Sequence, residues 1–183
     1  MKASIIVSAL FLVFTLSSCS KSKKEDISPF TNEVDFEGRK ISLEDGLIED
    51  YGAWEKEYNL EFYMLDDKIT YNPVTKEVED VSMSFLIDLD LYSGGDQFTN
   101  GRYTIVDSTG QEEKNSGYAY VLFSKDQKKH ADALDFEEFE AISGYVDVSG
   151  KAPSYEVSFN LMLENGKTLK GNYNNGFVIV KIE

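Results

Sequence analysis

The chain has 183 residues, one cysteine, 42% apolar and 13% aromatic side chains, and a formal charge of −15 from 33 acidic against 18 basic residues. So acidic a surface repels phosphate backbones and anionic head groups, which argues against nucleic acid and direct membrane-face binding, although it also fits a merely well-solvated exterior. The apolar and aromatic content suffices to bury a core and excludes a disordered tail.

In chain order, Lys2 precedes an apolar run from Ile5 to Leu16, which has the length of a secretory h-region and is too short to cross roughly 30 Å of hydrocarbon as a helix. Residues 1–18 therefore read as an export signal. Ser17 and Ser18 lead into Cys19, and Leu16-Ser17-Ser18-Cys19 resembles the lipobox of bacterial lipoproteins. That resemblance implies that Cys19 becomes the first mature residue, its thiol a thioether to diacylglycerol and its amino group usually acylated. Each buried methylene adds about 0.8 kcal/mol, and two or more chains anchor stably. The alternative is an ordinary signal peptide followed by a free cysteine, which has no internal disulfide partner. Residues 19–29 are polar and without apolar period, so they read as a flexible tether behind the lipid. Within them Lys24-Glu25-Asp26 resembles the lysine-plus-acidic surface-export signal of Bacteroidetes lipoproteins. Removal of residues 1–18 leaves 165 residues with a charge one unit more negative than the whole chain's −15, room for one domain, residues 30–183.

Period-two alternation dominates that domain. It places Tyr58, Leu60, Phe62 and Met64 on one face of a strand. It does the same for Val81, Met83, Phe85, Ile87, Leu89 and Leu91, with Ser82, Ser84, Asp88 and Asp90 opposite, and again for Tyr155 to Leu163. Further strands are expected near Lys40–Leu43, Arg102–Val106, Gly117–Phe123, Ile142–Val148, Lys167–Tyr173 and Phe177–Ile182. Gly117–Phe123 and Phe177–Ile182 are apolar on both faces, which suggests central strands. Turn signals such as Asn72-Pro73, Ser93-Gly94-Gly95-Asp96 and Asn165-Gly166 separate them, and the last predicts a type I′ hairpin. Ala131–Glu140 holds good helix formers and reads as a short helix or ordered loop. Tyr63, Leu86 and Met162 interrupt the polar strand faces, an apolar patch that this segment or a ligand would cover. A Gly-x-Tyr echo links Gly101-Arg102-Tyr103 to Gly171-Asn172-Tyr173, from an old duplication or two similar hairpins. The expected fold is all-β: an antiparallel β-sandwich or partly closed β-barrel of about eight to ten strands.

Chemistry is sparsely signalled. The single histidine, His130, sits in a polar loop, so His-containing triads and tetrahedral zinc sites lack their parts. Asp88 and Asp90 share a polar strand face near Asp96, three carboxylates that could hold calcium through oxygen ligands or simply be solvated. Trp54, the only tryptophan, stands between Tyr51 and Tyr58 among carboxylates, the composition of a sugar-stacking surface, unless Trp54 is a core residue or covers a sheet end. No cofactor site is indicated.

The order Gly101-Arg102-Tyr103, Ser116-Gly117-Tyr118, Gly144-Tyr145-Val146-Asp147-Val148, a Tyr-initiated alternating strand, Asn165-Gly166 and Gly171-Asn172-Tyr173 resembles small uncharacterised lipoproteins of Bacteroidetes, over roughly Val81 to Ile182. The resemblance implies an all-β domain on the outer membrane, facing outward, with no catalytic residues to carry over. The leading expectation is a non-enzymatic binding module for a glycan or a surface protein partner. Alternatives are a structural or adhesion subunit pairing through a sheet edge, a carboxylate-based glycosidase, or a protease inhibitor using loop Ser93–Thr99.

Overall fold

Strands that bury every second residue build the domain, and thirteen form among the residues that the computed structural model describes, 31–79, 81–110, 114–131 and 133–182. They are β1 (Glu33–Phe36), β2 (Arg39–Ser42), β3 (Asp45–Trp54), β4 (Glu57–Leu65), β5 (Thr70–Asn72), β6 (Glu77–Glu79), β7 (Phe85–Gly94), β8 (Gly101–Val106), β9 (Ser116–Ser124), β10 (Phe136–Lys151), β11 (Ser154–Leu163), β12 (Thr168–Tyr173) and β13 (Val178–Lys181). Cys19 and the signal and tether segments lie outside the described residues.

Eleven strands form one curled sheet in the order β13-β3-β4-β7-β9-β8-β10-β11-β12-β1-β2, while β5 and β6 pair as a separate hairpin. The architecture is thus all-β, a partly closed barrel made by one sheet rather than two. Pairing is antiparallel except where β13 runs with β3 and where a short stretch of β8 runs with β9. The strand count exceeds the expected range because β1, β3, β5 and β6 carry little alternation.

Alternation and burial coincide best on β7, where Phe85, Ile87, Leu89 and Leu91 are fully buried. Register places them beside Leu60, Phe62 and Met64 of β4 and Ala119 and Val121 of β9. These residues join Val146, Val148, Val157, Phe159, Leu161 and Leu169 from the far wall in a single core. The strand begins at Phe85 rather than Val81, because Asp66 accepts the backbone N–H groups of Ser84 and Phe85 and turns the chain there.

Curvature enters at irregularities. In β10 the register slips between Ala141 and Ser143, leaving Ile142 extra, and Gly144 follows at φ 138°. A side chain there would meet the carbonyl of Asn160 at 2.3 Å, so only glycine permits the two strands to close at that bend. The bend lets one strand serve several partners: Phe136–Glu140 pair with β9, and Ser143–Val148 with β8.

Several sequence expectations change. Ala131–Glu140 is not a helix: Ala133–Asp135 form one 3-10 turn, and Phe136 already belongs to β10. As a strand it sends Phe136 and Phe139 to opposite faces, and Phe139 meets Phe123 with ring centroids 6.1 Å apart. Leu134 is 80% exposed. Nor do Tyr63, Leu86 and Met162 form one patch, since β9, β8 and β10 separate β11, which carries the exposed Met162, from β7. Phe177–Ile182 is not central: β13 is an edge strand whose partner is β3. The Asn165-Gly166 hairpin forms, but with a three-residue loop in which Gly166 N–H donates to Leu163 C=O and Gly166 has φ 79°. Asn165 keeps negative φ, so the turn is not type I′. The Gly-x-Tyr echo is not one motif used twice, for β11 pairs with β12 whereas β9 separates β7 from β8. Both edge strands, β2 and β13, are four residues long, and β2 presents Arg39 and Lys40, features that discourage edge-to-edge pairing.

Candidate functional site

The face of β3, β4, β7 and β9 turned away from the core carries the densest polar chemistry. β3 reaches it through a bulge. Asp50 opposes Leu60 on the inner face, Tyr51 is extra, and Gly52 opposes Asn59. Asp50 and Tyr51 leave the strand on opposite sides by ordinary alternation, and the bulge shifts the phase beyond them so that Trp54 also turns outward. Beyond the bulge Trp54 opposes Glu57, and Glu55, at φ 53°, reverses the chain.

Trp54 is 80% exposed at this hairpin tip. Beside it a cavity of about 290 Å³ is lined by Tyr51, Gly52, Trp54, Glu57, Asn59 and Tyr92. Tyr51 donates its hydroxyl to Glu49 Oε2 at 2.8 Å, and Tyr92 donates to Asp90 Oδ2 at 2.7 Å. Asn59 donates to the other oxygen of Asp90, and Tyr92 meets Tyr118 edge-on with ring centroids 6.1 Å apart. Rings fixed in this way next to amide and carboxylate groups match the apolar-body, polar-edge character of a sugar.

Toward the middle of the sheet from this cavity, the outer face carries a row of acids. Glu49, Glu61 and Asp90 oppose one another across β3, β4 and β7, and Tyr63, Asp88, Tyr120 and Glu140 form the adjacent row. Like charges directly opposite one another destabilise a sheet, and so does burying a carboxylate. Burial first, then the charges of Glu61 and Asp90, pushes Asp88 up to about 8. Burial also raises Glu61, against the hydrogen bond from Tyr63, and raises Asp90, against those from Tyr92 and Asn59. Asp88 Oδ1 is buried with no hydrogen-bond partner among the described residues.

Of the residues singled out by sequence, Tyr51 and Trp54 come together. Tyr58 does not join them: it lies on the inner face, opposite Ala53, and donates to Asp50 Oδ1 at 2.8 Å. Asp88 and Asp90 lie near each other on the outer face, whereas Asp96 lines a different cavity with the inner-face residues Ile48 and Leu60. Among the described residues no three His, Cys, Asp or Glu side chains gather as a metal site. His130 is tied between Asp126 and Asp135, its ring nitrogens 2.6 and 3.3 Å from their oxygens, and its backbone bridges to Met83. Tyr92, Asn59 and Glu61 were not singled out. Their signal is their outward phase on strands whose inward phase is plain. No protein-family model matches the sequence, and comparison with curated proteins and with solved structures returns no match.

Proposed function

We propose that this chain is an outer-membrane lipoprotein, anchored through Cys19 and displayed at the cell surface, whose β domain is a non-enzymatic module that binds glycan. The observation that carries the binding reading is Trp54, four-fifths exposed at the tip of the β3–β4 hairpin and standing over a cavity with Tyr51, Asn59 and Tyr92. Leaving a large aromatic side chain in water forgoes the gain of burying it, so its position favours a surface that another molecule covers. A sugar's C–H face packs on such a ring while its hydroxyls reach the nearby amide and carboxylate oxygens. The anchor and address rest on Leu16-Ser17-Ser18-Cys19.

The test is a screen of the full chain, in detergent, against polysaccharides and host glycans. Trp54 fluorescence reads each hit in the parent, because the chain has no other tryptophan, and ligand retention in the screen itself reads the Trp54→Ala variant. Binding that disappears in a folded Trp54→Ala variant is the expected result. Hits that persist in that variant would remove the site, and silence across the screen would move the reading to a protein partner. Hydrolysis of a bound glycan would make the acid row catalytic instead.

A further inference from the structure

Two residues on from Ile48, Asp50 shares its inner face at the mouth of the half-barrel, and a second cavity of about 290 Å³ opens there. We propose that this cavity is a separate site for a small organic cation, an alkylammonium or quaternary ammonium group on a short apolar body. It is independent of the glycan reading and lies on the opposite face of the sheet.

Its floor is apolar, made by Ile48, Leu60 and Ile179. Its walls are the rings of Tyr58, Phe98 and Tyr155. These rings are braced from behind: Phe98 and Tyr155 meet edge-on at 5.8 Å, Phe98 stacks on Tyr103 at 5.4 Å, and Phe62 touches both Phe98 and Tyr155 at 5.7 Å. The cavity therefore exists before any ligand arrives, at the small end of ligand pockets, which run from roughly 300 to 1,000 Å³.

Charge selects the ligand. Asp50 is half-buried, and its Oδ1 accepts from Tyr58 Oη at 2.8 Å and from Gly52 N at 3.0 Å, leaving Oδ2 with no hydrogen-bond partner among the described residues. Burial and the bond to Asp50 hold the Tyr58 phenol up to about 12, so the phenol stays neutral beside the carboxylate. Asp96 supplies a second carboxylate at the rim. Its loop is pinned by Gly95 N–H on Lys56 C=O at 2.7 Å, by Ser93 Oγ on Gln97 C=O at 3.2 Å and by the Tyr103 hydroxyl on Thr99 C=O. Among the described residues no Lys, Arg or His lines the cavity. Lys181 is the register neighbour of Asp50, but among the described residues no ion pair reaches Asp50 or Asp96. Aromatic walls and carboxylates without a resident cation are complementary to an ammonium group, and the apolar floor to the carbon chain that carries it.

Four probes of similar size test this: butylammonium, tetramethylammonium, 1-butanol and butyrate. They are titrated into the full chain in detergent and followed by saturation-transfer NMR, with protein-free micelles as blank. Both cations are expected to bind, with butanol and butyrate about tenfold weaker or silent. Asp50→Asn, which keeps an acceptor for Tyr58 and Gly52, and the exposed Asp96→Asn should each weaken the cations about fivefold or more. Glu77→Gln, on the separate β5–β6 hairpin and outside the cavity lining, should leave them unchanged. Equal binding of butanol, preference for butyrate, or no binding by any probe overturns the proposal. So does an equal loss in Glu77→Gln, which would assign the attraction to net charge.

Discussion

On the inner face of β4, β7 and β9, Leu60, Phe62, Met64, Ile87, Leu89, Ala119 and Val121 lose almost all contact with water. On the outer face of the same strands Asn59, Glu61, Asp88, Asp90, Tyr118 and Tyr120 are also half-buried, yet by one another. Backbone, register and strand order are identical for the two faces, so their difference isolates what side-chain burial does. Inside, each buried ring or branched chain adds roughly 1.5–3 kcal/mol. Outside, burial crowds carboxylates, and what it yields is a prearranged set of acceptors beside aromatic rings, obtained at a cost in stability.

The sharpest way to test the inner half of the contrast is Phe62→Ala. Phe62 is fully buried and touches Phe98, Tyr155 and Phe177 at 5.5–5.7 Å. Its truncation should cost about 3–5 kcal/mol in urea unfolding. A loss under about 1 kcal/mol would mean that the half-barrel does not depend on this core.

The outer half predicts the opposite sign. Asp88 keeps its proton up to about 8 in the folded chain but releases it near 3.8, the ordinary carboxyl value, when unfolded. Between those values the folded chain binds more protons, so this residue makes stability fall as pH rises. Asp88→Asn should therefore stabilise the protein by roughly 1–3 kcal/mol at pH 8, with the gain vanishing near pH 4. Unfolding curves across that pH range check it, and a variant less stable than the parent at pH 8 would erase the distinction between the faces.

The smallest effect belongs to the hairpin tip. Trp54→Ala should shift unfolding by no more than about 0.5 kcal/mol, since the ring packs on little. A large shift would show that Trp54 serves the fold, and would weaken the case that it waits for a ligand.

Much of the inner face was legible in the sequence because it repeats with period two. Phe85 to Leu91 and Tyr155 to Leu163 keep an apolar residue at every second position, with only Leu86 and Met162 breaking the polar phase, and lie in strands. The β3 strand was not legible, since Gly46, the pair Leu47-Ile48 and the bulge at Tyr51 destroy the alternation. Phe136 and Phe139, three residues apart, imitate a helical stripe, and only pairing with β9 shows that they part to opposite faces. The outer site was half legible. The outward phases of β4 and β7 contain Asn59, Glu61, Asp88, Asp90 and Tyr92, but placing them together requires the register, which the sequence of either strand alone does not hold. Asp50 follows the inward phase of Ile48, which the neighbouring pair Leu47-Ile48 hides, and a loop sets the direction of Asp96.

The placement of β1 has a consequence for the order in which the molecule can assemble. Thr31 N–H donates to Asn172 across 141 residues of chain, and β1 pairs along its whole length with β12. β3 likewise obtains its outer neighbour only when β13 exists. During synthesis the earliest strands emerge long before their partners, and the sheet closes only after nearly all of the polypeptide is available. Such long-range pairing makes folding slow and late, and a chain truncated before Thr168 would lack β12 and leave one side of β1 unpaired.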